Sequence, residues 1–282
     1  MELSFVKYVK EGHKIGDIGC GPNGAIWWDQ ITNCEINAFD LNFEPPSFVR
    51  GGNTITFSKT DVSKPDNLSK YINTFDIAVA DHIFEHVSDP YGLAFGCNKI
   101  LKKDGLLHVG IPVGDNFTDR FYRLIHSDGG GHIVKYTKEE FLELMEQYGF
   151  ELVEENIWPD DWSWLDKLYS KEETLKQYGI SSVKTGDIKY LAEVFKKELT
   201  VEKGYFYGYE FLFRKIKDVN IVNIEHKNFA TKVRESLYER YVPNQNKLME
   251  ISDWATGLNN SLRNIRSNFW FRVLRKLRLI KQ

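Results

Sequence analysis

The stretch GDIGCGPNGA, residues 16–25, holds the residue types best suited to bind a charged ligand. Gly19, Gly21 and Gly24 match the G-x-G-x-x-G pattern, which lets the backbone approach a dinucleotide pyrophosphate closely. Asp17, two residues before the first glycine, would direct a carboxylate into the same pocket. Since like charges repel, this acid disfavours a pyrophosphate and leaves the nature of the ligand open.

Four further polar residues stand at the ends of predicted strands. Asp40 ends EINAFD, Asp61 follows NTITFSKT, and Asp81 with His82 ends FDIAVADH. Ligands of open α/β sheets bind outside the carboxyl ends of the strands, so we expect these side chains around one pocket. Asp40 is suited to accept hydrogen bonds from both hydroxyls of a ribose. Asp61 has a comparable alternative role in an Asx-turn or as the N-cap of the next helix.

Strands and helices alternate in the first half of the chain, which predicts a doubly wound α/β fold with a parallel sheet. The predicted helices are AIWWDQI, DNLSKYI and PYGLAFGCNKILKKDG, and the strand LLHVGIP follows them. Thr137 is predicted to cap the helix TKEEFLELMEQYG, with Glu140 completing a capping box. FELVEENIW and YFYGYEFLFRKI are predicted to be the last hairpin pair, split by an insertion.

Composition narrows the class of protein. The 282 residues are 42% hydrophobic and 27% charged, values typical of soluble globular domains, and the net charge of −3 argues against bulk nucleic-acid binding. The three cysteines lack the spacing of a zinc site or a disulfide framework. The N-terminal residues show no signal-peptide pattern, so we expect a cytoplasmic protein.

Five motifs in order carry a specific resemblance: DIGCGPNG, FDLN, TDVS, FDIAVADHIFEHVSDP and ILKKDGLLHVGIP. Together they resemble the class I S-adenosylmethionine-dependent methyltransferases, in particular the group with a Glu-His-Val turn after the fourth strand. The resemblance covers about residues 13–157. It implies a Rossmann-like methyltransferase sheet, S-adenosylmethionine as cofactor and methyl transfer as the activity.

The resemblance also implies a cofactor-binding set. Asp17 would serve the ammonium group of the cofactor, Asp40 its ribose, and Asp61 its adenine amine. Asn23 departs from the family pattern, because the third glycine falls one residue later, at Gly24. The predicted cofactor-binding residues are Asp17, Gly19, Cys20, Gly21, Asn23, Asp40, Leu41, Asp61, Val62, Asp81, His82 and His86.

Histidines supply the candidates for acid–base chemistry. Methylation of a hydroxyl requires a base near neutral pH, and His132 in GGGHIVKYT stands where similar methyltransferases have a loop histidine facing the acceptor. His126 is the second candidate and Asp115 the third, and for each a loop-stabilising hydrogen bond is an alternative. His82 and His86 are four residues apart, but no third ligand is evident, so we expect no metal.

We divide the chain into a methyltransferase core, residues 1–157, an insertion with the last strand, residues 158–227, and a helical tail, residues 228–282. The insertion is rich in tryptophan and tyrosine, which stack on sugars or planar rings but also fill cores. The core and insertion thus predict an acceptor that is a glycan or a small molecule, with a sugar hydroxyl preferred.

The tail has a heptad-like seam of apolar residues followed by a basic amphipathic end from Arg263 onward. A coiled coil that makes a homo-oligomer and a helix packed on its own domain explain the seam equally well. The basic end suits peripheral contact with an anionic membrane, at the inner face of the cytoplasmic membrane, or a solvated end of the same coil. Such a tail resembles those of enzymes that modify bacterial surface polysaccharides.

Three alternative functions stay open. The enzyme could methylate a small molecule or a lipid-like metabolite. The chain could be a catalytically silent methyltransferase-like scaffold, although the intact Asp17, Gly19, Gly21 and Asp40 argue against that. A nicotinamide-dependent reductase is the third, since it shares the glycine pattern and the acid at the end of the second strand.

Overall fold

The computed structural model describes residues 3–21, 24–114, 116, 118–119, 131–159, 193–201 and 205–220. The chain divides into two compact units, Met1–Lys227 and Asn228–Gln282. The second unit, which contains the predicted coiled coil and basic end, lies outside the described residues, as does most of the insertion. No helix among the described residues is long and apolar enough to cross a membrane.

One mixed sheet of eight strands forms the centre of the described part of the first unit, in the order β3-β4-β2-β1-β5-β6-β8-β7. Strands β4, β2, β1, β5 and β6 run parallel, whereas β3 and β8 pair antiparallel with their neighbours. This order confirms the doubly wound α/β prediction and the split hairpin of β7 and β8. The strands are β1 Lys14–Ile18, β2 Glu35–Asp40, β3 Phe48–Arg50, β4 Asn53–Lys59, β5 Phe75–Asp81, β6 Leu101–Pro112, β7 Phe150–Trp158 and β8 Gly208–Lys215.

Two α-helices have the starts that the sequence predicts. Helix α1, Pro90–Ile100, begins with Asp89, whose carboxylate accepts from the Gly92 N–H at 2.9 Å. Helix α2, Lys138–Gln147, begins with a capping box in which Thr137 and Glu140 bond each other's backbone N–H groups. These contacts satisfy N–H groups that the first turn of a helix leaves without partners.

Two predicted helices are 3₁₀ helices instead, Ile26–Gln30 and Pro65–Tyr71. In the first, the Asn53 side chain donates to the carbonyl oxygens of Trp28 and Ile31 at 3.0 and 2.9 Å. Those oxygens would otherwise accept from N–H groups later in an α-helix. Trp27 and Trp28 are both buried in the core. A tertiary contact has thus replaced the helix after the glycine turn.

The third predicted helix ends earlier than expected. The segment LKKDG belongs to β6, whose register shifts opposite Phe75 and Ile77. Asp104 has a φ of 62° within this irregularity. Strand β3 was not predicted and adds an antiparallel edge beside β4. The carboxyl ends of β1, β2, β5 and β6 nevertheless meet at one edge of the sheet, as the parallel pairing requires.

Candidate active site

The glycine turn after β1 rests on the end of β2. The N–H groups of Gly19 and Cys20 donate to the Phe39 carbonyl at 2.8 and 3.2 Å, and the Gly21 N–H donates to Asp40 Oδ2 at 3.0 Å. Gly21 has a φ of 66°, and a Cβ there would meet no atom within 4 Å. Backbone that is open on one side and fixed on the other suits close approach of a ligand.

Asp40 therefore has a second function besides the predicted contact with a ribose. Its Oδ1 accepts from the Asn42 N–H at 2.8 Å while Oδ2 holds the turn. Each carboxylate oxygen keeps further acceptor capacity for a hydroxyl. Leu41, the next predicted contact, is about half exposed at this edge.

Asp17 is more deeply buried than its predicted role suggests. The side chain is only 3% exposed, and its Oδ2 accepts from the Trp28 indole N–H at 2.8 Å. Burial raises the pKa of Asp17 to about 7, the Trp28 hydrogen bond opposes that rise, and the charge of Asp81 adds to it. A buried carboxyl group that ionises near neutral pH is one whose charged form a neighbouring ammonium group would stabilise.

The remaining predicted contacts near the turn have local partners. Asp61 accepts from the Ser63 N–H at 2.9 Å and from the Ser63 hydroxyl at 2.6 Å, the Asx-turn given above as its alternative role. Val62 is buried beneath Gly96 of α1. Burial raises the pKa of Cys20 to about 12, which keeps it a thiol. Asn23 lies outside the described residues.

Glu85 lies between two histidines in the turn after β5. Its carboxylate is fully buried, and Oε1 lies 3.0 Å from His82 Nδ1 and 3.9 Å from His86 Nε2. Burial alone would lower the pKa of His82, but the hydrogen bond and charge of Glu85, with Asp81, raise it above its usual value. His82 also has a left-handed backbone, with a φ of 55°. Glu85 is the glutamate of the Glu-His-Val motif, and no role was predicted for it from the sequence.

The segment after the third glycine of GGG is bound to this turn. The Glu85 carbonyl accepts from the N–H groups of Ile133 and Val134 at 2.7 and 3.1 Å, and His86 Nδ1 donates to the Gly131 carbonyl at 3.0 Å. Burial lowers the pKa of His86, and nearby His132 lowers it further. These bonds bring His132 to the carboxyl end of β5.

His132 forms a buried pair with Asp119, which the sequence reasoning missed. His132 Nδ1 donates to Asp119 Oδ1 at 2.9 Å, and the two residues are 3% and 0% exposed. A proton on Nδ1 leaves the lone pair on Nε2, the state in which imidazole accepts a proton. His126 and Asp115, the other predicted bases, lie outside the described residues.

Glu85, His86 and His132 also form a possible set of metal ligands. Each offers one ligand atom, and these atoms lie within 4.8 Å of one another. The sequence showed only the pair His82 and His86, for which no third ligand was evident. The fold instead brings Glu85 and the distant His132 beside His86. The expectation that no metal takes part stays a prediction, and its test is given in the Discussion.

Two aromatic residues at the borders of the insertion reach the same turn. The ring of His82 lies 4.6 Å from that of Trp158 and 5.5 Å from that of Tyr207. Trp158 ends β7 and Tyr207 directly precedes β8, so the hairpin carries both rings to the ends of β5 and β6. They lie beside His82 at the borders of the insertion, the region predicted to receive the acceptor.

Comparison with known proteins agrees with this geometry. Residues 3–155 match the methyltransferase-domain family Methyltransf_23. A structure from Galdieria sulphuraria, provisionally described as a sarcosine dimethylglycine methyltransferase, superposes with a TM-score of 0.51 at 15% identity, over 77% of this chain and 82% of that one. A provisionally assigned methyltransferase from Bacillus halodurans has a TM-score of 0.50 at 18% identity, over 74% and 95%. These likenesses concern the fold.

The curated relatives align with a smaller part of this chain than these structures do. The ubiquinone biosynthesis O-methyltransferase of Salmonella paratyphi A is 22% identical over 170 residues, which are 57% of this chain and 63% of that protein. The enzyme of the same name from Actinobacillus pleuropneumoniae is 29% identical over 105 residues, 34% of this chain and 44% of that protein. The chain thus spans less than two thirds of their length. With the family match over half its length and the ordered motifs at the strand ends, the chain belongs to the methyltransferase-domain family.

Proposed function

We propose that the protein transfers a methyl group from S-adenosylmethionine to a hydroxyl oxygen of its acceptor, with His132 as the general base. The observation that carries this proposal is the buried Asp119–His132 pair at the carboxyl end of β5. The Asp119 carboxylate fixes the His132 tautomer in which Nε2 accepts a proton, the state that a general base needs. In this arrangement Asp119 orients the base His132, as a third group orients the base in other catalytic sites.

S-adenosylmethionine supplies the activated methyl group. His132 Nε2 would take the proton of the acceptor hydroxyl as that oxygen receives the methyl group, and S-adenosylhomocysteine would be the leaving group. Asp119 stabilises the imidazolium that results, and the proton then leaves to water. The loop fixed on Glu85 and the aromatic rings beside His82 exclude water and align the acceptor oxygen.

The glycine turn and its neighbours are suited to hold the cofactor. We assign Asp17 to its ammonium group, Gly19 and Gly21 to close backbone approach, and Asp40 to its ribose. Support comes from the open side of Gly21, the buried Asp17 and the position of Asp40 beside the turn. The Asx-turn at Asp61 makes that residue the weakest member of the predicted set.

Two acceptor classes have support. A phenolic hydroxyl is favoured by the name of the curated relatives, ubiquinone biosynthesis O-methyltransferase. A sugar hydroxyl, preferred from the sequence, is favoured by the Trp158 and Tyr207 rings, because aromatic rings stack on sugars as well as on planar rings. We place the phenolic hydroxyl first.

Methyl transfer from radiolabelled S-adenosylmethionine tests the proposal, with 4-methylcatechol and methyl glucoside as acceptors. We expect His132→Gln and Asp119→Asn to lower kcat by about 100-fold or more, as loss of a general base does. His13→Gln, a partly exposed histidine before β1, is the matched control and should keep wild-type kcat. Binding of the cofactor without methylation of any hydroxyl would refute the proposal and favour the silent scaffold.

We also retain two proposals for the tail, which rest on its sequence alone. The heptad-like seam would join copies of the chain into a homo-oligomer, and the basic end would lie on an anionic membrane surface. Sedimentation of the full chain and of a variant ending at residue 227 tests the first. An unchanged number of chains per particle would exclude oligomerisation through the tail.

A further inference from the structure

A partly exposed carboxylate lies beside the predicted acceptor space. Asp81, the last residue of β5, leans over Gly110 of β6, where a Cβ atom would collide with Asp81 Oδ1. That oxygen is buried and has no hydrogen-bond partner among the described residues. Since β5 separates β6 from β1, Asp81 leans away from Asp17 and the glycine turn. Its Oδ1 thus lies on the β6 side, although Asp81 is still near enough to raise the pKa of Asp17.

His108 lies behind Asp81 and does not neutralise it. His108 is fully buried, with Nε2 3.9 Å from Asp81 Oδ1 and Nδ1 3.4 Å from Glu210 Oε1. Burial lowers the pKa of His108 to about 3, so the ring is neutral. Neither ring nitrogen makes a hydrogen bond within the described residues. A neutral imidazole adds no positive charge, so of the two neighbouring histidines it is His82 that offsets part of the charge of Asp81.

No lysine or arginine supplies that balance in the described part of the chain. The ion pairs of Asp81, Glu85 and Glu210 there are all with histidines. Glu210 additionally accepts from the Ser4 N–H at 2.6 Å, which fixes its position but adds no full charge. The Asp81 side chain is 29% exposed, so a ligand can reach its carboxylate, and an acidic face of this kind is suited to a cationic ligand.

Aromatic rings border the same space. A Cβ at Gly110 would lie 2.9 Å from the Trp158 ring, so the indole covers the glycine next to Asp81. Tyr207 and Trp158 flank His82, the residue that follows Asp81. A carboxylate beside aromatic rings is the usual environment of a bound ammonium group, which gains both an ion pair and cation–π contact.

We propose that Asp81, Trp158 and Tyr207, backed by His108 and Glu210, bind a protonated amine of the acceptor. The acceptor class is then a hydroxyl compound that also carries an amino group, such as a phenolic amine or an amino sugar. This inference rests on the proposed function for the identity of its ligand as the acceptor. The site itself is defined by charge and geometry and can be tested without methyl transfer.

The experiment compares amine-bearing ligands with close neutral analogues. The full-length protein, saturated with S-adenosylhomocysteine so that the cofactor ammonium site is filled, is titrated calorimetrically with dopamine or 4-methylcatechol, and with glucosamine or glucose. We expect one amine to bind about tenfold or more tightly than its neutral analogue, the size of one desolvated ammonium contact. Asp81→Asn should abolish the preference, whereas Asp66→Asn, an exposed acid, should retain it.

Equal affinity within both pairs, or a preference that survives Asp81→Asn, would overturn the proposal. Should Asp81→Asn fail to fold, Glu210→Gln should weaken the preference at least threefold, and no change in that variant counts against the site. A preference for the amine without methylation of any hydroxyl would refute the proposed function and leave this site standing. Methylation of neutral and amine-bearing hydroxyl compounds with equal KM would support the proposed function and refute this amine site.

Discussion

Replacing Asp17 with asparagine should make the cofactor-free protein more stable and its cofactor binding weaker. The amide of the new side chain keeps an oxygen to accept from the Trp28 indole but removes an ionisable group that is only 3% exposed. In the folded protein, burial raises the pKa of Asp17 from 3.8 to about 7. The folded state therefore holds a proton that the unfolded chain releases between these two pH values.

The sign and size of the change in the free energy of unfolding follow from this difference in proton binding. Because the folded state binds more protons between about pH 4 and pH 7, the free energy of unfolding falls as pH rises through that window and stays lower above it. Each pKa unit is worth about 1.4 kcal/mol, so the wild type loses up to about 4 kcal/mol. Asp17→Asn should recover this loss above about pH 7 and change little near pH 4.

Thermal unfolding of both proteins without cofactor, from about pH 4 to pH 8, provides the assay. At roughly 2–4 °C per kcal/mol, we expect the variant to melt roughly 10 °C above the wild type at high pH. The wild type should also bind S-adenosylmethionine more tightly as pH rises through about 7, while the variant binds about tenfold more weakly. A difference in melting temperature that is the same at every pH would refute the assignment of this proton to Asp17.

Three further outcomes are expected. Dialysis against EDTA should leave kcat unchanged if His132 is the base, whereas a loss restored by Zn²⁺ or Mn²⁺ would assign Glu85, His86 and His132 to a metal. Thr137→Ala should lower the free energy of unfolding by about 1 kcal/mol through loss of the capping box, with Thr137→Ser close to wild type in denaturant titration. Deleting residues 266–282 should release the protein from anionic liposomes, and unchanged cosedimentation would exclude membrane contact through this end.

Strand ends were predictable because their signals are local. The apolar runs of β1, β2 and β5 give the direction and depth of the strands, and Asp17, Asp40 and Asp81 stand at fixed places relative to them. Parallel pairing then brings these ends together whatever the intervening residues do. The same holds for Thr137 and Glu140, whose capping contacts span only three residues.

Features that depend on distant contacts were missed or mispredicted. Asn53 binds the carbonyls of Trp28 and Ile31 and limits the segment to a 3₁₀ helix, although its own composition permits an α-helix. Asp119 and His132 lie 13 residues apart, too far for the spacing of a single helical turn or strand pair to connect them. A buried acid behind a catalytic histidine is a reasonable search target, but only the folded chain identifies which acid.

The position of β8 determines when this site can exist during synthesis. β8 separates β6 from β7 in the sheet, and its hydrogen bonds reach both neighbours. A nascent chain that has emerged only as far as Trp158 has both neighbouring strands but not the one between them, leaving their edges open to non-native pairing. Tyr207, Glu210 and the closing strand follow only after the whole insertion has been made, so the acceptor side matures last. Ribosome-bound intermediates of this chain would thus have the complete glycine turn well before they can enclose an acceptor.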